Sequence, residues 1–463
     1  MDQMKRSAKW AAVATILSLA WPTMLEQLMQ TAVQYIDTAM VGTLGTEATA
    51  AVGATATVNW LISSTLSALG VGFLAFIARA CGAHDRNGAK KASSQALLVT
   101  LLSGILFTGI TVGISPVLPR WMQVDPKIQS LASLYFLIVY APMLPRAASI
   151  ILGTVLRAAG DTKTPMKVGV LVNILNVVGN FFLIFPTRAV TVFGFSFTLW
   201  GAGWGVVGAA AASAISYTWG GIHITIALWR HKLVSPKGGS LKPDRDLLRP
   251  CLKVAFPNML QRFGTCLGYV AFASQINALG EVATAAHTIA NTVESAFYIP
   301  GYGMQTAAAT LVGNAYGARD PQRMRQLSRM FIPVEVALMV ITGGTLFFTA
   351  PYLVDIFSNS WEVITLGTTV LQMVALSEPM YGVSIIVEGM MLGVGRTKTP
   401  FIYNLCGMWG VRILGTYLIT TFFGGGLVAA WGCMIAHNGL LFVLYLVSFL
   451  RGSWNPLERN DKV

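Results

Sequence analysis

The chain is a succession of apolar runs of about twenty residues or more, separated by short connections that carry most of its charge. A hydrocarbon layer about 30 Å thick is crossed by about 20 helical residues rising about 1.5 Å each. In lipid the backbone must satisfy its own hydrogen bonds, so runs of this length predict membrane-spanning helices. Composition agrees: 54% of the 463 residues are hydrophobic and 11% charged, with mean hydropathy +0.62. A soluble domain carries about a quarter charged residues. Twelve runs are drawn, at 13–40, 51–77, 92–114, 130–156, 165–186, 200–229, 248–277, 283–311, 328–350, 364–392, 400–423 and 427–450. Met1 to Trp10 is basic and leads into the first run without a signal-peptide cleavage pattern, so an uncleaved first span is expected.

Net charge is +13, from 32 Lys and Arg against 19 Asp and Glu. The cations sit in clusters between spans rather than in a basic domain, which argues against a nucleic-acid partner and for the lipid bilayer. Of the 32, 26 fall in the N-terminus, the C-terminus and the alternate connections, counted with the first few residues of the runs that follow them (Lys167, Arg249, Lys253 and Arg329); three lie on the other side (Arg120, Lys127, Arg188) and three deeper within spans (Arg146, Arg262, Arg412). The retention of Lys and Arg inside predicts cytoplasmic termini and a multi-pass protein of the cell inner (plasma) membrane. Five scattered cysteines form no metal-ligand or disulfide spacing.

The two halves align at a single offset of 235 residues. Gly160-Asp161-Thr162-Lys163-Thr164-Pro165 recurs as Gly395-Arg396-Thr397-Lys398-Thr399-Pro400. Pro22 and Met24 recur as Pro257 and Met259, and Gly82-Ala83 recurs as Gly317-Ala318. Six spans per half is an even number, so the repeats enter the membrane in the same sense. An all-α integral membrane fold is expected: twelve transmembrane helices in two pseudo-symmetric six-helix bundles, with a cleft between them. The expected divisions are 1–230, a flexible cytoplasmic linker at 231–249, and 250–463.

Charges at bilayer depth cost about 3 kcal/mol or more, so they face protein or wet cavities. Glu26, Gln30, Gln34 and Asp37 share one face of the first span, at spacings of 4, 4 and 3. Asn173, Asn176 and Asn180 share a face of the fifth. The second half carries Glu294, Glu335, Glu378 and Glu388, with Arg262 and Arg412 available as partners. Glu294 and Glu378 are candidates for function or for buried ion pairs; Glu335 and Glu388 are not favoured. Gly203-Trp204-Gly205-Val206-Val207-Gly208 follows no strand pattern and reads as helix packing, not a dinucleotide site. No nucleotide-binding, zinc-protease or hydrolase motif occurs, so a membrane-embedded enzyme is disfavoured and an ion gradient is the expected energy source.

Asp37-x-x-x-Val41-Gly42-x-Leu44-Gly45, Leu156-Arg157-x-x-Gly160-Asp161-Thr162-Lys163-x-Pro165 and Ala285-Ala286-His287 resemble signatures of the multidrug and toxic compound extrusion (MATE) family. The resemblance runs from about residue 13 to 450. It implies a V-shaped pair of lobes exporting small organic, often cationic, compounds in exchange for H+ or Na+. It also implies that Asp37 is the coupling acid, with Asn176 and Ser213 matching two of its usual partners. Asn180 stands where the family has an aspartate. Sodium-coupled members place acids on the seventh and tenth spans; the seventh here has none, and Thr265 lies near the place. A Na+ site near Glu294 and Glu378 is the alternative to H+. No organic cofactor and no other metal are expected, and the chain is expected to act as a monomer. A lipid-linked precursor flippase of the same superfamily is the runner-up.

Overall fold

The computed structural model describes residues 2–53, 55–122, 124–192 and 195–459. It is nearly all helical. The first half comprises α1 (Asp2–Gly42), α2 (Thr46–Gly53), α3 (Ala56–Gly82), α4 (Arg86–Ile114), α5 (Leu118–Trp121), α6 (Gln129–Tyr140), α7 (Met143–Ala158), α8 (Lys163–Leu183) and α9 (Gly205–Arg230). The second comprises α10 (Arg245–Asn277), α11 (Glu281–Gly317), α12 (Pro321–Phe357), α13 (Trp361–Ala375), α14 (Glu378–Gly393), α15 (Lys398–Cys406), α16 (Leu414–Phe422), α17 (Leu427–Leu450) and the short α18 (Pro456–Arg459). A π-helical turn, Gly407–Ile413, joins α15 to α16.

Among the described residues, six helical segments are long and apolar enough to cross a membrane, or eight if two bent pairs each count as one. The bent pairs are α6 with α7, at 49°, and α13 with α14, at 51°. Pro142 and Pro379 sit at these breaks, where a missing N–H and a fixed φ favour a new helix start. Four further helices, α1, α9, α10 and α11, are at least 26 residues long. In α1 the candidates Glu26 and Asp37, and in α11 Glu294, lower the apolar content.

The offset of 235 recurs in the backbone. α3 and α11 end at Gly82 and Gly317, α4 and α12 begin at Arg86 and Pro321, and α7 and α14 span 143–158 and 378–393. Left-handed residues recur too: Gly45 and Gly280 (φ 109° and 105°), Gly160 and Gly395 (88° and 77°), His84 and Arg319 (55° and 51°).

The all-α expectation needs one correction. β1 (Pro186–Val192) and β2 (Phe195–Ala202) pair antiparallel, Arg188 opposite Leu199. The sixth apolar run therefore does not begin as a helix at residue 200. Trp200 to Ala202 are strand, and Gly203 and Gly205 turn the chain at φ 68° and 56° before α9 starts. Thr187 and Gly201 close the base of the pair through the threonine hydroxyl, at 3.1 and 3.2 Å.

The first helix of each half reaches into the other. Ile16 and Ala20 of α1 are fully buried in a core with Met304, Ala308 and Val312 of α11. Leu247 and Cys251 of α10 are buried in the first half's core with Phe73, Leu156 and Leu228. At the centre α3 and α11 meet nearly backbone to backbone. A Cβ on Gly82 would lie 1.9 Å from the Asn314 carbonyl oxygen, and one on Gly317 would lie 2.0 Å from that of Arg79. Arg79 and Asn314 are themselves equivalent at the repeat offset, so the contact is reciprocal, as across a two-fold axis.

The segment 231–249 makes side-chain contacts with α4. The buried Gln95 amide donates to the carbonyls of Ser240 (3.2 Å) and Lys242 (2.9 Å), and its oxygen accepts from Asp244 N–H (3.1 Å). Lys91 pairs with Asp244, which also caps α10. Glycine and serine in this stretch suggest a loose coil from sequence, but one glutamine side chain satisfies three of its backbone groups.

Candidate functional site

The 3.6-residue period carries Asp37 of α1 towards α8, where Asn176 and Asn180 lie one turn apart. Asn180 Nδ2 donates to Asp37 Oδ1 at 2.5 Å. The Asn176 amide finds partners for both ends when its nitrogen faces Asp37, donating to Oδ1 at 2.7 Å and Oδ2 at 3.0 Å. Its oxygen then accepts from Ser213 Oγ of α9 at 3.0 Å. Both asparagines are buried, and Asp37 is partly exposed. Among the described residues Asp37 forms no ion pair. Neutral amide donors hold its charge, so a proton or an incoming cation is what can cancel it.

The rest of the α1 stripe behaves differently. Glu26 accepts from Arg157 Nη2 of α7 at 2.6 Å, and both side chains are largely buried. Gln30 and Gln34 are exposed. One helical face thus carries an ion pair at one end, open amides between, and the amide-held carboxylate at the other. Nearby, Tyr35 Oη donates to the Thr292 carbonyl of α11 at 2.9 Å, tying α1 to the second half.

In the second half Glu294 of α11, Glu335 of α12 and Glu378 of α14 are all buried. None forms an ion pair among the described residues. Both Glu335 oxygens and Glu378 Oε2 are buried without a hydrogen-bond partner. The Glu335 carboxyl abuts Gly301 and Gly382, and Glu378 abuts Gly343, so glycines make the room these side chains occupy. The ion pair considered for Arg412 does not form. Its guanidinium instead lies 4.2 Å from the Phe272 ring centroid and 5.0 Å from that of Tyr269. Arg262 donates to Asn258 at 3.1 Å. Glu388 accepts from Gln261 Nε2 at 2.7 Å. His287, from the Ala-Ala-His signature, accepts from Trp431 Nε1 at 3.3 Å. Among the described residues no three His, Cys, Asp or Glu side chains converge as a metal centre.

Sequence reasoning missed one polar assembly in the first half. Arg146 of α7 donates to Asn59 and, at 3.1 Å, to Ser63, both on α3. The rings of Tyr140 and Tyr217 flank it, with centroids 5.3 and 4.7 Å away. The only available signal was Arg146 itself, an arginine inside an apolar run.

A family model described as MatE matches residues 22–182 and again residues 257–418, the two stretches related by the repeat. The probable multidrug resistance protein NorM of Thermotoga maritima is 26% identical over 439 residues, covering 95% of this chain and 92% of the relative. The probable multidrug resistance protein YoeA of Bacillus subtilis is 24% identical over 454 residues, covering 96% and 94%. Among solved structures, a MATE protein in complex with MaD3S superposes with a TM-score of 0.86 at 24% identity, covering 96% of each chain. A MOP superfamily transporter from Pyrococcus furiosus superposes with a TM-score of 0.85 at 24% identity, again covering 96% of each. These likenesses carry the fold.

Proposed function

Since this chain belongs to the MatE family, of transporters rather than enzymes, we propose that it is a secondary active multidrug efflux antiporter, exporting organic cations in exchange for protons at Asp37. One observation carries the coupling assignment. Asp37 is held by two asparagine amides and, among the described residues, by no cationic side chain, with Asn180 Nδ2 at 2.5 Å. Protonation removes a charge that the site otherwise holds through hydrogen bonds alone, and a substrate cation competes for the same carboxylate. Gln30 and Gln34 are exposed and Ser213 is partly exposed, and these are the side chains assigned to the approach to Asp37.

The proposed architecture is twelve spans in two six-helix lobes, 1–230 and 250–463, joined by 231–249 and rocking about a central cleft. Both termini and the Lys/Arg-rich connections face the cytoplasm of a plasma or inner membrane, and the working unit is one chain. Export is tested in everted vesicles with H+ and Na+ gradients imposed separately and a fluorescent cationic dye as cargo. Dye uptake driven by the proton gradient, lost in Asp37→Asn, is expected. Wild-type rates in Asp37→Asn sink the assignment.

A second reading has its own observation. The unpartnered buried oxygens of Glu335 and Glu378, with Glu294 also free of an ion pair, favour a cation there, Na+ in particular. It predicts that Na+ drives uptake, that Glu378→Gln abolishes it, and that Asp37→Asn does not. The flippase reading calls for free cations in the core. Arg146 and Arg262 donate to asparagines, and Arg412 lies against aromatic rings, which favours the drug antiporter.

A further inference from the structure

The Lys/Arg-rich face holds a cavity of about 730 Å³ at the joint between the halves. One wall comes from the end of α3, with Arg79 and Ala83. The other comes from Tyr316, Arg319, Arg396 and the C-terminal Pro456-Leu457. Three arginines from three separate elements line it, with Asp85 as the acid among its lining residues. Asp85 is engaged elsewhere, capping α4 by accepting from Gly88 N–H at 2.8 Å.

Two of the arginines are held from behind. Arg79 Nε donates to the Ala75 carbonyl at 2.9 Å, and its guanidinium lies over the Tyr316 ring. Arg396 donates to the Ser453 carbonyl. Arg319 sits in the left-handed turn between α11 and α12, at φ 51°, and is exposed.

The repeat offers an internal control. At the offset of 235, Arg79, Arg319 and Arg396 correspond to Asn314, His84 and Asp161. The backbone at these places is alike, including the left-handed turns at His84 and Arg319. The fold therefore does not require arginine at any of the three, yet this cavity collects all of them.

We propose that this cavity binds a phosphate-bearing anion, a lipid phosphodiester headgroup or a free phosphate. Guanidinium groups present paired donors that match phosphate oxygens, and basic pockets on the inner face of membrane proteins take anionic headgroups. Its walls belong to both halves, so the bound anion bridges them and favours the arrangement in which this face is closed. Binding can be read without any transport assay, so its failure and that of the efflux reading are distinguishable.

The test uses the purified full chain in a neutral detergent, with its apparent melting temperature followed against three probes. These are short-chain phosphatidylglycerol, short-chain phosphatidylcholine and inorganic phosphate. A saturable rise with phosphatidylglycerol and none with phosphatidylcholine is expected. Arg319→Gln together with Arg396→Gln is expected to raise the apparent Kd at least tenfold, and Lys163→Gln to leave it unchanged. Arg319→Gln alone removes an exposed side chain and keeps the test meaningful if the pair weakens folding; it is expected to raise Kd severalfold. Competition by inorganic phosphate assigns the site to phosphate itself, and its absence to the lipid headgroup. Equal responses to the two lipids, or an unchanged Kd in both arginine variants, overturn the proposal.

Discussion

Gly82→Ala tests the joint between the halves. The new Cβ would sit 1.9 Å from the Asn314 carbonyl oxygen, and real Cβ contacts essentially never fall under 3.0 Å, so the α3 and α11 backbones must part by about 1.1 Å. No flexible side chain can give way, because the obstacle is backbone. Overpacking of this kind costs about 1–3 kcal/mol, an equilibrium factor of roughly 5 to 150. Gly317→Ala meets the Arg79 carbonyl at 2.0 Å and parts the same two helices. The double variant should therefore cost less than the sum of the singles, because the first substitution has already opened the gap. Gly344→Ala is the control: it lies inside α12 with nothing within 4 Å of the new Cβ. Apparent melting temperature reads the cost. Maleimide labelling of the half-buried Cys81, beside the joint, reads the opening in a chain whose other four cysteines are serine. Lower melting and faster labelling are expected in Gly82→Ala and Gly317→Ala. If Gly82→Ala behaves like Gly344→Ala in both assays, the reasoning is refuted.

Two more predictions concern the segment joining the halves. Gln95→Leu removes three hydrogen bonds to its backbone, worth about 1 kcal/mol each, so trypsin should cut after Lys237 roughly 100-fold faster. Cleavage at the wild-type rate would show that other contacts hold the segment. The same cleavage should depend on pH through His231, whose Nδ1 accepts from the N–H groups of Leu233 and Val234 at 3.3 Å. Burial holds the His231 pKa below its ordinary value. Its contribution is therefore complete above about pH 6.5 and is lost as pH falls through the lowered value. The Lys91–Asp244 pair responds elsewhere. The Lys91 hydrogen bond pulls the Asp244 pKa down. Its contribution through Asp244 is level above about pH 5. Cleavage normalised to a free peptide should rise below about pH 6.5 in the wild type and stay flat in His231→Gln. A midpoint surviving in His231→Gln would refute the assignment.

What the sequence made legible is what local chemistry or exact repetition encodes. A helix period puts Asn176 and Asn180 on one face, and the structure brings both to Asp37. A repeated Gly-x-Thr-Lys-Thr-Pro places the turns at Gly160 and Gly395, both left-handed. Ser213 lies in an alanine-rich stretch whose residues carry no mark of a site; the family resemblance alone pointed to it. Pairings across the chain were not legible. Glu26 and Arg157 are 131 positions apart, and nothing in either neighbourhood names the other. The burial of Ile16 and Ala20 in the second half's core was hidden likewise, because an apolar helix face does not say which apolar face it meets. The strands at 186–202 were missed for a different reason. Their apolar end, Trp200 to Ala202, runs into an apolar helix, and run length alone cannot divide the two.

The two halves share geometry where they mate and differ in chemistry where they do not. Asp37 and Phe272 are equivalent at the repeat offset, as are Val177 and Arg412. The same pairing of helices therefore places a carboxylate among asparagines in one half and an aromatic ring against an arginine in the other. The joint has no such freedom. Gly82 packs on Asn314, and Gly317 packs on the equivalent Arg79, so each contact is met by its own copy across the axis. A side chain added at the joint displaces both halves, whereas a change at Asp37 or Arg412 alters one. The joint is accordingly where the repeat keeps its glycines, and away from it one duplicated scaffold holds an amide-bound carboxylate in one half and an arginine against aromatic rings in the other.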